Sequence, residues 1–425
     1  MIKVLSSAWA LLLGMMLLQV GNGMQGTLLG VRGEIEGFST LEISLVMSGY
    51  FVGFLFGSRM APEMIRRVGH VRVFAALGSM ISAVMLLYPS LTDPWIWGAG
   101  RILIGFCFSG VYVTAESWLN NAASNENRGK ALSLYMIVQM IGIVSAQGLM
   151  VVADPGGFIL FIIPSVLISI SFAPILLSIS PTPAFDTTKP MSLREIMTIS
   201  PLGCVGMFLL GGIFSAQFGM AAVYGARAGL SVGQISMFVS AFYIGALLVQ
   251  YPLGWLSDRM DRRMLIMISA AVMSIGSLFG MVLGGWFPAL LVSAFVVGGL
   301  SNPLYSLLIA YTCDFLEHED MAAASGGMVF INGLGAVAGP VITGWMMGVI
   351  GPHGFFLFIG GLGAAMALYA GYRMTQRSAP SVEDTDSFAT VMPSSSPMAV
   401  SYAQEYAIDV AQEDAEEAES SDNVN

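Results

Sequence analysis

Five charged side chains, Asp258, Arg259, Asp261, Arg262 and Arg263, fall within the ten residues GWLSDRMDRR at 254–263, in a chain that is only 10% charged. Long apolar runs flank them on both sides. The chemistry open to such a cluster is ion pairing at a membrane face, where contacts form in one conformation and break in another. Asp258 and Arg262 are expected to pair with each other and with Asp314, which ends a later apolar run. An earlier stretch, APEMIRRVGHVR at 61–72, keeps Arg67, Gly69 and Arg72 but carries Arg66 where Asp258 stands. There the expected pairs are Arg67 or Arg72 with Glu116, or a local pair using Glu63. The alternative is that the basic residues only set topology, which would require no Asp258.

Arg101 is a charge inside an apolar run, six residues or roughly 9 Å from the run's start. A buried Arg costs a few kcal/mol or more in hydrocarbon unless it meets a partner or water. Glu116 is fifteen residues, roughly 22 Å, further along the same run and out of reach. The candidate partners are Glu34, Glu36, Glu42, backbone carbonyls or an anionic solute. Asn22, Gln25, Gln139, Gln217, Asn302, Asn332 and the hydroxyl of Tyr305 also lie in apolar runs. In hydrocarbon such groups need hydrogen-bond partners, so they should face the interior, lining a cavity or bonding between helices.

Other chemistries are poorly supplied. Cys107, Cys204 and Cys313 stand singly and read as small apolar fillers. His70, His318 and His353 read as loop residues, and no carboxylate sits in the middle of the first or seventh run, so proton coupling stays open. There is no Gly-Lys-Ser/Thr phosphate loop, no nucleophile elbow and no metal-ligand cluster, which argues against an enzyme and against a cofactor or metal.

The elements that must position these residues are apolar runs of about 20 residues, each able to cross a ~30 Å hydrocarbon layer as a helix. The chain has 425 residues and a mean hydropathy of +0.76. Twelve runs are expected, at 6–29, 42–62, 71–89, 95–119, 131–152, 158–178, 202–225, 234–256, 264–284, 287–313, 322–349 and 354–374. The fold class is therefore an all-α membrane protein, with the N-terminal run read as a first span and not as a signal peptide. The polar stretch 179–200, with three prolines, divides a first six-helix bundle at 1–178 from a second at 201–376. Short connections on the linker's side hold Arg66, Arg67, Arg72, Arg128, Lys130, Lys189, Arg194, Arg259, Arg262, Arg263, Arg373 and Arg377, against Arg32 and Arg227 opposite, which predicts a cytoplasmic linker and cytoplasmic termini. The net charge of −10 misleads, because eleven of 27 acidic residues lie between Glu383 and Asp422. The tail 377–425 reads as a disordered acidic extension. A shift of 193 positions brings Gly105 onto Gly298, Tyr112 onto Tyr305, Ala131 onto Ala324, Gln139 onto Asn332 and Gly142 onto Gly335, as expected of paired repeats.

The charged loop can now be compared with a known pattern. Gly254-x-Leu256-x-Asp258-Arg259-x-x-Arg262-Arg263 resembles the signature loop of the major facilitator superfamily, which normally follows helix two and recurs after helix eight. Arg101-x-x-x-Gly105 resembles that family's Arg-x-x-x-Gly element, and Arg128-Gly129-Lys130-Ala131 its Arg-Gly step before helix five. Gly335-x-x-x-Gly339-Pro340-x-x-x-Gly344 resembles its Gly-Pro bending motif, here in helix eleven and not in helix five. More loosely, ESWLNN at 116–121 resembles the YcaD-like branch. The resemblance spans about residues 5–376 and implies two pseudo-symmetric six-helix bundles, with helices one, four, seven and ten lining a central cavity. It further implies a secondary active transporter working by alternating access in the inner or plasma membrane, and a proton-linked role for Arg101. The departure at Arg66 puts the first-half latch in doubt. The expected partners are a small-molecule solute, with Arg101 leaning toward an anion, a proton or other coupling ion, and the lipid bilayer. A monomer without nucleic acid is expected. Uptake and export stay open, as does a transporter-like sensor or accessory protein that moves no solute.

Overall fold

The computed structural model describes residues 2–122, 128–177, 191–316 and 318–376, together with 388, 390–393, 395, 396, 398–400 and 403. Among these residues every regular element is helical. The first half contains α1 (Ile2–Ile35), α2 (Thr40–Val68), α3 (His70–Leu87), α4 (Pro94–Ala122), α5 (Arg128–Leu149) and α6 (Ile159–Ser171), which continues after a break at Phe172 as α7 (Ala173–Leu177). A short helix α8 (Leu193–Ile199) ends the linker. The second half contains α9 (Pro201–Ser215) joined through one π-helical turn (Ala216–Met220) to α10 (Ala221–Arg227), then α11 (Val232–Ser257), α12 (Arg262–Leu283), α13 (Phe287–Cys313), α14 (His318–Ile350) and α15 (Gly354–Met374). Among the described residues, eleven spans are long and apolar enough to cross a bilayer, and α1, with 34 residues, has the length for a twelfth.

Local chemistry fixes the ends of these helices. Ser39 and Glu42 form a capping box at α2, as do Ser231 and Gln234 at α11 and Ser192 and Glu195 at α8, and each pair satisfies two backbone donors that a helix start leaves open. Asp261 caps α12 by accepting from the Arg263 N–H. Gly69 turns the chain between α2 and α3 at φ 85°, a conformation few side chains tolerate. His70 is not a loop residue. It opens α3 and is buried, with Nε2 3.0 Å from Ser117 Oγ. His318 likewise opens α14, whereas His353 stays in the turn that precedes α15.

Small residues bring the helices together, and they do so symmetrically. A Cβ on Gly105 would lie 1.9 Å from the Tyr50 carbonyl oxygen, and one on Gly298 2.2 Å from that of Phe242. These two contacts seat α4 on α2 and α13 on α11. Gly142 approaches Gln19 and Met16 on α1, and Gly335 approaches Phe208 on α9, again at matching places in the two halves. In lipid, where water drives no helix association, such backbone-to-backbone contact is a main source of packing energy. Gly339 packs on Ser215 within the second half, whereas Gly344 packs on Ser44 of the first. The helix α14 runs on through Pro340.

The linker carries one short helix, and the described part of the tail departs from its expected disorder. The segment 179–200 is not wholly irregular, since α8 buries Ile196 against Gly327 and the Met191 N–H bonds the Ala323 carbonyl. Lys189 lies outside the described residues. The described part of the tail is packed into the bundle. Val391, Met392, Ser395, Ser396, Ala399, Val400 and Ala403 are all buried. The reading of 377–425 as disordered does not hold for them, because their stretch is free of the acidic residues that dominate the rest of the tail.

Candidate functional site

A narrow cavity of about 40 Å³ lies between the two halves. The first half contributes Gln19 and Asn22 from α1, Tyr50, Phe51 and Phe54 from α2, Tyr112 from α4 and Ile143 from α5. The second contributes Phe214 and Phe218, Tyr243, Asn302, and Val329, Asn332, Gly333 and Ala336 of α14. Met392 and Pro393 of the tail form its floor toward the linker face. The aromatic rings are in mutual contact: Phe214 stacks on Phe218 at 6.0 Å, and Tyr50 meets Phe218 across the halves at 5.3 Å. Phe218 sits in the π-helical turn, whose extra residue re-aims side chains, as such turns often do at functional sites.

The first-half wall is one continuous hydrogen-bonded chain. Gln139 Oε1 accepts from Gln19 Nε2 at 2.8 Å, and Gln19 Oε1 accepts from the Tyr112 hydroxyl at 2.8 Å. That hydroxyl accepts from Asn22 Nδ2 at 3.0 Å, and Asn22 Oδ1 accepts from Gln25 Nε2 at 3.1 Å. Gln25 Oε1 in turn accepts from Arg101 Nη1 at 2.5 Å. Every member is buried, so the low local dielectric strengthens each bond and makes each loss costly. Arg101 is fully enclosed, with its guanidinium 4.9 Å from the Tyr50 ring and Nη2 3.5 Å from Met47 Sδ. Its Nε has no hydrogen-bond partner among the described residues.

This placement corrects the partner expected for Arg101. Glu34 pairs with Arg227 at 2.7 Å, Glu36 with Arg32 at 2.6 Å, and Glu42 caps α2. The outer-end carboxylates are thus taken up at the helix ends, and Arg101 rests on an amide and a π face instead. It does not line the cavity.

The second-half wall is built from separate anchors. Gln217 and Ser301 exchange bonds at 3.0 and 3.1 Å, Asn302 Nδ2 donates to the Gly298 carbonyl at 3.2 Å, and Asn332 Nδ2 to the Met207 carbonyl at 3.0 Å. Tyr305 is buried beneath, its hydroxyl without a partner among the described residues. Of the residues singled out from sequence, Asn22, Asn302 and Asn332 touch the cavity. Gln25, Gln139, Gln217, Arg101 and Tyr305 stand behind it.

The two ends of the cleft differ. At the face opposite the linker, Arg227 binds both Glu34 and the Phe38 carbonyl, and Ser48 Oγ donates to the Val337 carbonyl at 2.6 Å, so contacts between the halves close that end. At the linker face, Arg262 pairs with Asp314, both buried, and donates to Ser257 at 3.3 Å. This pair joins α12 to α13 inside one half and does not bridge the two. Arg263 pairs with Asp261 at 2.8 Å, and Arg259 covers the Trp255 ring at 4.3 Å. Asp258 accepts the Phe388 N–H at 2.8 Å. Burial raises the Asp258 carboxyl above its ordinary range, against the pull of that N–H and of Arg262 and Arg259. For Asp261 burial works the same way but the Arg263 guanidinium outweighs it, and the carboxyl lies below its usual value. In the first half, Arg67 and Arg66 both pair with Glu63, at 2.6 and 2.8 Å, and Arg72 is exposed. Of the expected alternatives, the local pair with Glu63 forms and the pairing with Glu116 does not. Glu116 is buried and accepts from the Tyr135 hydroxyl at 3.3 Å and from the Ser396 N–H at 3.0 Å.

The sequence matches the profile of the Major Facilitator Superfamily over residues 11–231 and again over 203–400. The chain belongs to the major facilitator superfamily. It is 24% identical over 353 residues to an "Uncharacterized MFS-type transporter YcaD" of Salmonella arizonae, covering 82% of this chain and 91% of the relative. The namesake of Escherichia coli O6:K15:H31 is 25% identical over 354 residues, with the same coverage of 82% and 91%. Among solved structures, the D323A mutant of the nucleoside transporter NupG superposes with a TM-score of 0.72 at 14% identity, covering 86% of this chain and 98% of that one. The unmutated NupG gives 0.67 at 13% identity, covering 87% and 100%. These superpositions show a shared fold. Within that superfamily fold, the residues that sequence reasoning missed are Gln19, the ring cluster of Tyr50, Phe51, Phe54, Phe214 and Phe218, and the tail floor. Gln19 was visible as an amide in the first run, and the spacing Tyr50–Phe54 and Phe214–Phe218 puts each pair one helical turn apart. Aromatic residues are common enough in spans that only the fold separates those facing the cleft from those facing lipid.

Proposed function

We propose that this membrane transporter carries a small, uncharged solute with a flat ring and a hydrogen-bonding edge, by alternating exposure of the central cavity. The observation that carries this reading is the lining itself: rings and amides from both halves, with no charged side chain among the lining residues. Stacking on Tyr50 and Phe218 would hold a ring, and Asn22, Asn302 and Asn332 would fix its orientation, the usual division of labour in small-molecule sites. The enclosure of Arg101 behind Gln25 weakens the case for an anion. A nucleoside meets the description, and the fold shared with NupG makes it the first compound to try. The side bearing most of the basic loop residues is assigned to the cytoplasm of the inner or plasma membrane. With the opposite end closed, the structure then represents a cytoplasm-directed state. Glu116, buried on α4 without a basic partner at hydrogen-bond range among the described residues, is the candidate carrier of a coupling proton.

Counterflow of labelled uridine or adenosine into proteoliposomes tests the reading, with benzoate as the anionic comparison. Ring solutes should exchange and benzoate should not. Exchange of benzoate alone, or of none of the three, would overturn it. One observation favours the alternative of a transporter-like sensor, namely the tail residues lodged in the cleft, and the same assay separates the two.

A further inference from the structure

Residues 387–403, SFATVMPSSSPMAVSYA, contain no charged side chain, although Glu383, Asp384 and Asp386 precede them and Glu405 follows. An apolar cleft can admit the neutral stretch and must exclude its flanks, because an unpaired carboxylate cannot be buried cheaply. The boundaries of the neutral stretch therefore limit how far the chain can enter.

The polar contacts of the described part are made mostly by its backbone, with the Ser396 side chain also bonding Glu116. The Phe388 N–H donates to Asp258, and its ring lies on Gly254, where a Cβ would come within 2.7 Å of it. Ser306 Oγ on α13 accepts the Val391 N–H at 2.8 Å and donates to the Val391 carbonyl at 2.9 Å. The Ser396 N–H donates to Glu116 on α4 at 3.0 Å. One segment thus spans from a first-half helix to a second-half helix. Recognition largely through main-chain groups, with small apolar side chains filling the space between, is a common way for proteins to hold peptides, and here the segment turns at 392–395 and is helical at 398–400.

We propose that the linker-face half of the cleft is a binding site for an uncharged peptide, and that its resident ligand is the described part of the neutral stretch of this chain, from Phe388 to Ala403. Glu116, Ser306 and Asp258 are the backbone-binding residues, and Gly254 is the seat for Phe388. Tethering gives such a segment an effective concentration on the order of mM, so modest contacts suffice to keep the site filled. Because Met392 and Pro393 floor the central cavity, the bound segment closes the solute path from this side. That consequence, unlike the site itself, rests on the transport reading above.

The test uses the full chain with Ala399→Cys, a position 2% exposed, and follows maleimide labelling by mass spectrometry. The introduced thiol should react roughly tenfold or more slowly in folded than in unfolded protein, as expected of a buried segment. Adding Val391→Pro and Ser396→Pro, which deletes two of the anchoring N–H groups without touching the bundle, should raise the rate toward the unfolded value. A synthetic peptide of residues 387–403 in excess should also raise it, and the reversed-sequence peptide should not. Labelling at the unfolded rate in the starting protein would overturn the proposal, as would slow labelling that survives both prolines, or equal action of the two peptides. Slow labelling with no uridine counterflow, even in the double proline variant, would overturn the transport reading and leave this site standing.

Discussion

Arg101 shows how burial and function part company at a single residue. It is fully buried in the first half's interior, yet it reaches the cavity only indirectly, through Gln25 and Asn22 and through the ring of Tyr50. Replacing it strands the Gln25 carbonyl, and a buried unsatisfied acceptor costs about 1–3 kcal/mol. Arg101→Leu should therefore lower the thermal midpoint of the purified protein while changing uridine affinity less than Asn22→Leu, which removes a group from the wall itself. For Asn22→Leu a loss of affinity of roughly five- to tenfold is expected from one hydrogen bond, read by ligand-induced thermal shift. The reverse ranking would return Arg101 to solute contact. Glu116→Gln gives a second residue-scale prediction. If Glu116 carries the coupling proton, uridine accumulation driven by a pH gradient should be lost while counterflow, which needs no net proton movement, persists. Loss of both would make Glu116 structural.

At the scale of elements, the packing glycines set the distances on which the site depends. Gly105 and Gly298 press on backbone, which cannot rotate away as a side chain could. Gly105→Ala should force α2 and α4 apart and destabilise by about 1–3 kcal/mol, the usual range for overpacking. Gly148→Ala, where nothing lies within 4 Å of the added methyl, should be neutral or slightly stabilising in the same thermal assay. Much of this level was legible in the sequence. Length and hydropathy gave the spans, and the 193-residue offset paired Gly105 with Gly298 and Gly142 with Gly335 before any contact was known. The pairing of side chains was less legible. Of the alternatives open to Arg67, the local pair with Glu63, one helical turn away, is the one that forms, and the more distant partnership with Glu116 does not. The break at Phe172 and the π turn at 216–220 left no mark in composition, because one extra residue in a turn changes hydrogen-bond register and not hydropathy. The tail misled for a different reason. Its average composition is acidic, and only a residue-by-residue reading isolates the neutral stretch at 387–403.

At the scale of the whole molecule, the halves meet at the face opposite the linker, where Arg227 holds Glu34 and the Phe38 carbonyl, and are joined at the linker face by the tail. A cleft closed by protein contacts at one end and filled at the other is one state of a two-state device, and a solute that is carried must favour its conversion to the other. The direct measurement is the distance between spin labels at Ile35→Cys and Ala228→Cys, exposed positions at the closed end that leave Glu34 and Arg227 intact. Alternating access predicts a short distance in the resting protein and a second, longer one that gains population when uridine is added to the Val391→Pro/Ser396→Pro variant. A single short distance under every condition, in protein that still binds uridine, would contradict it.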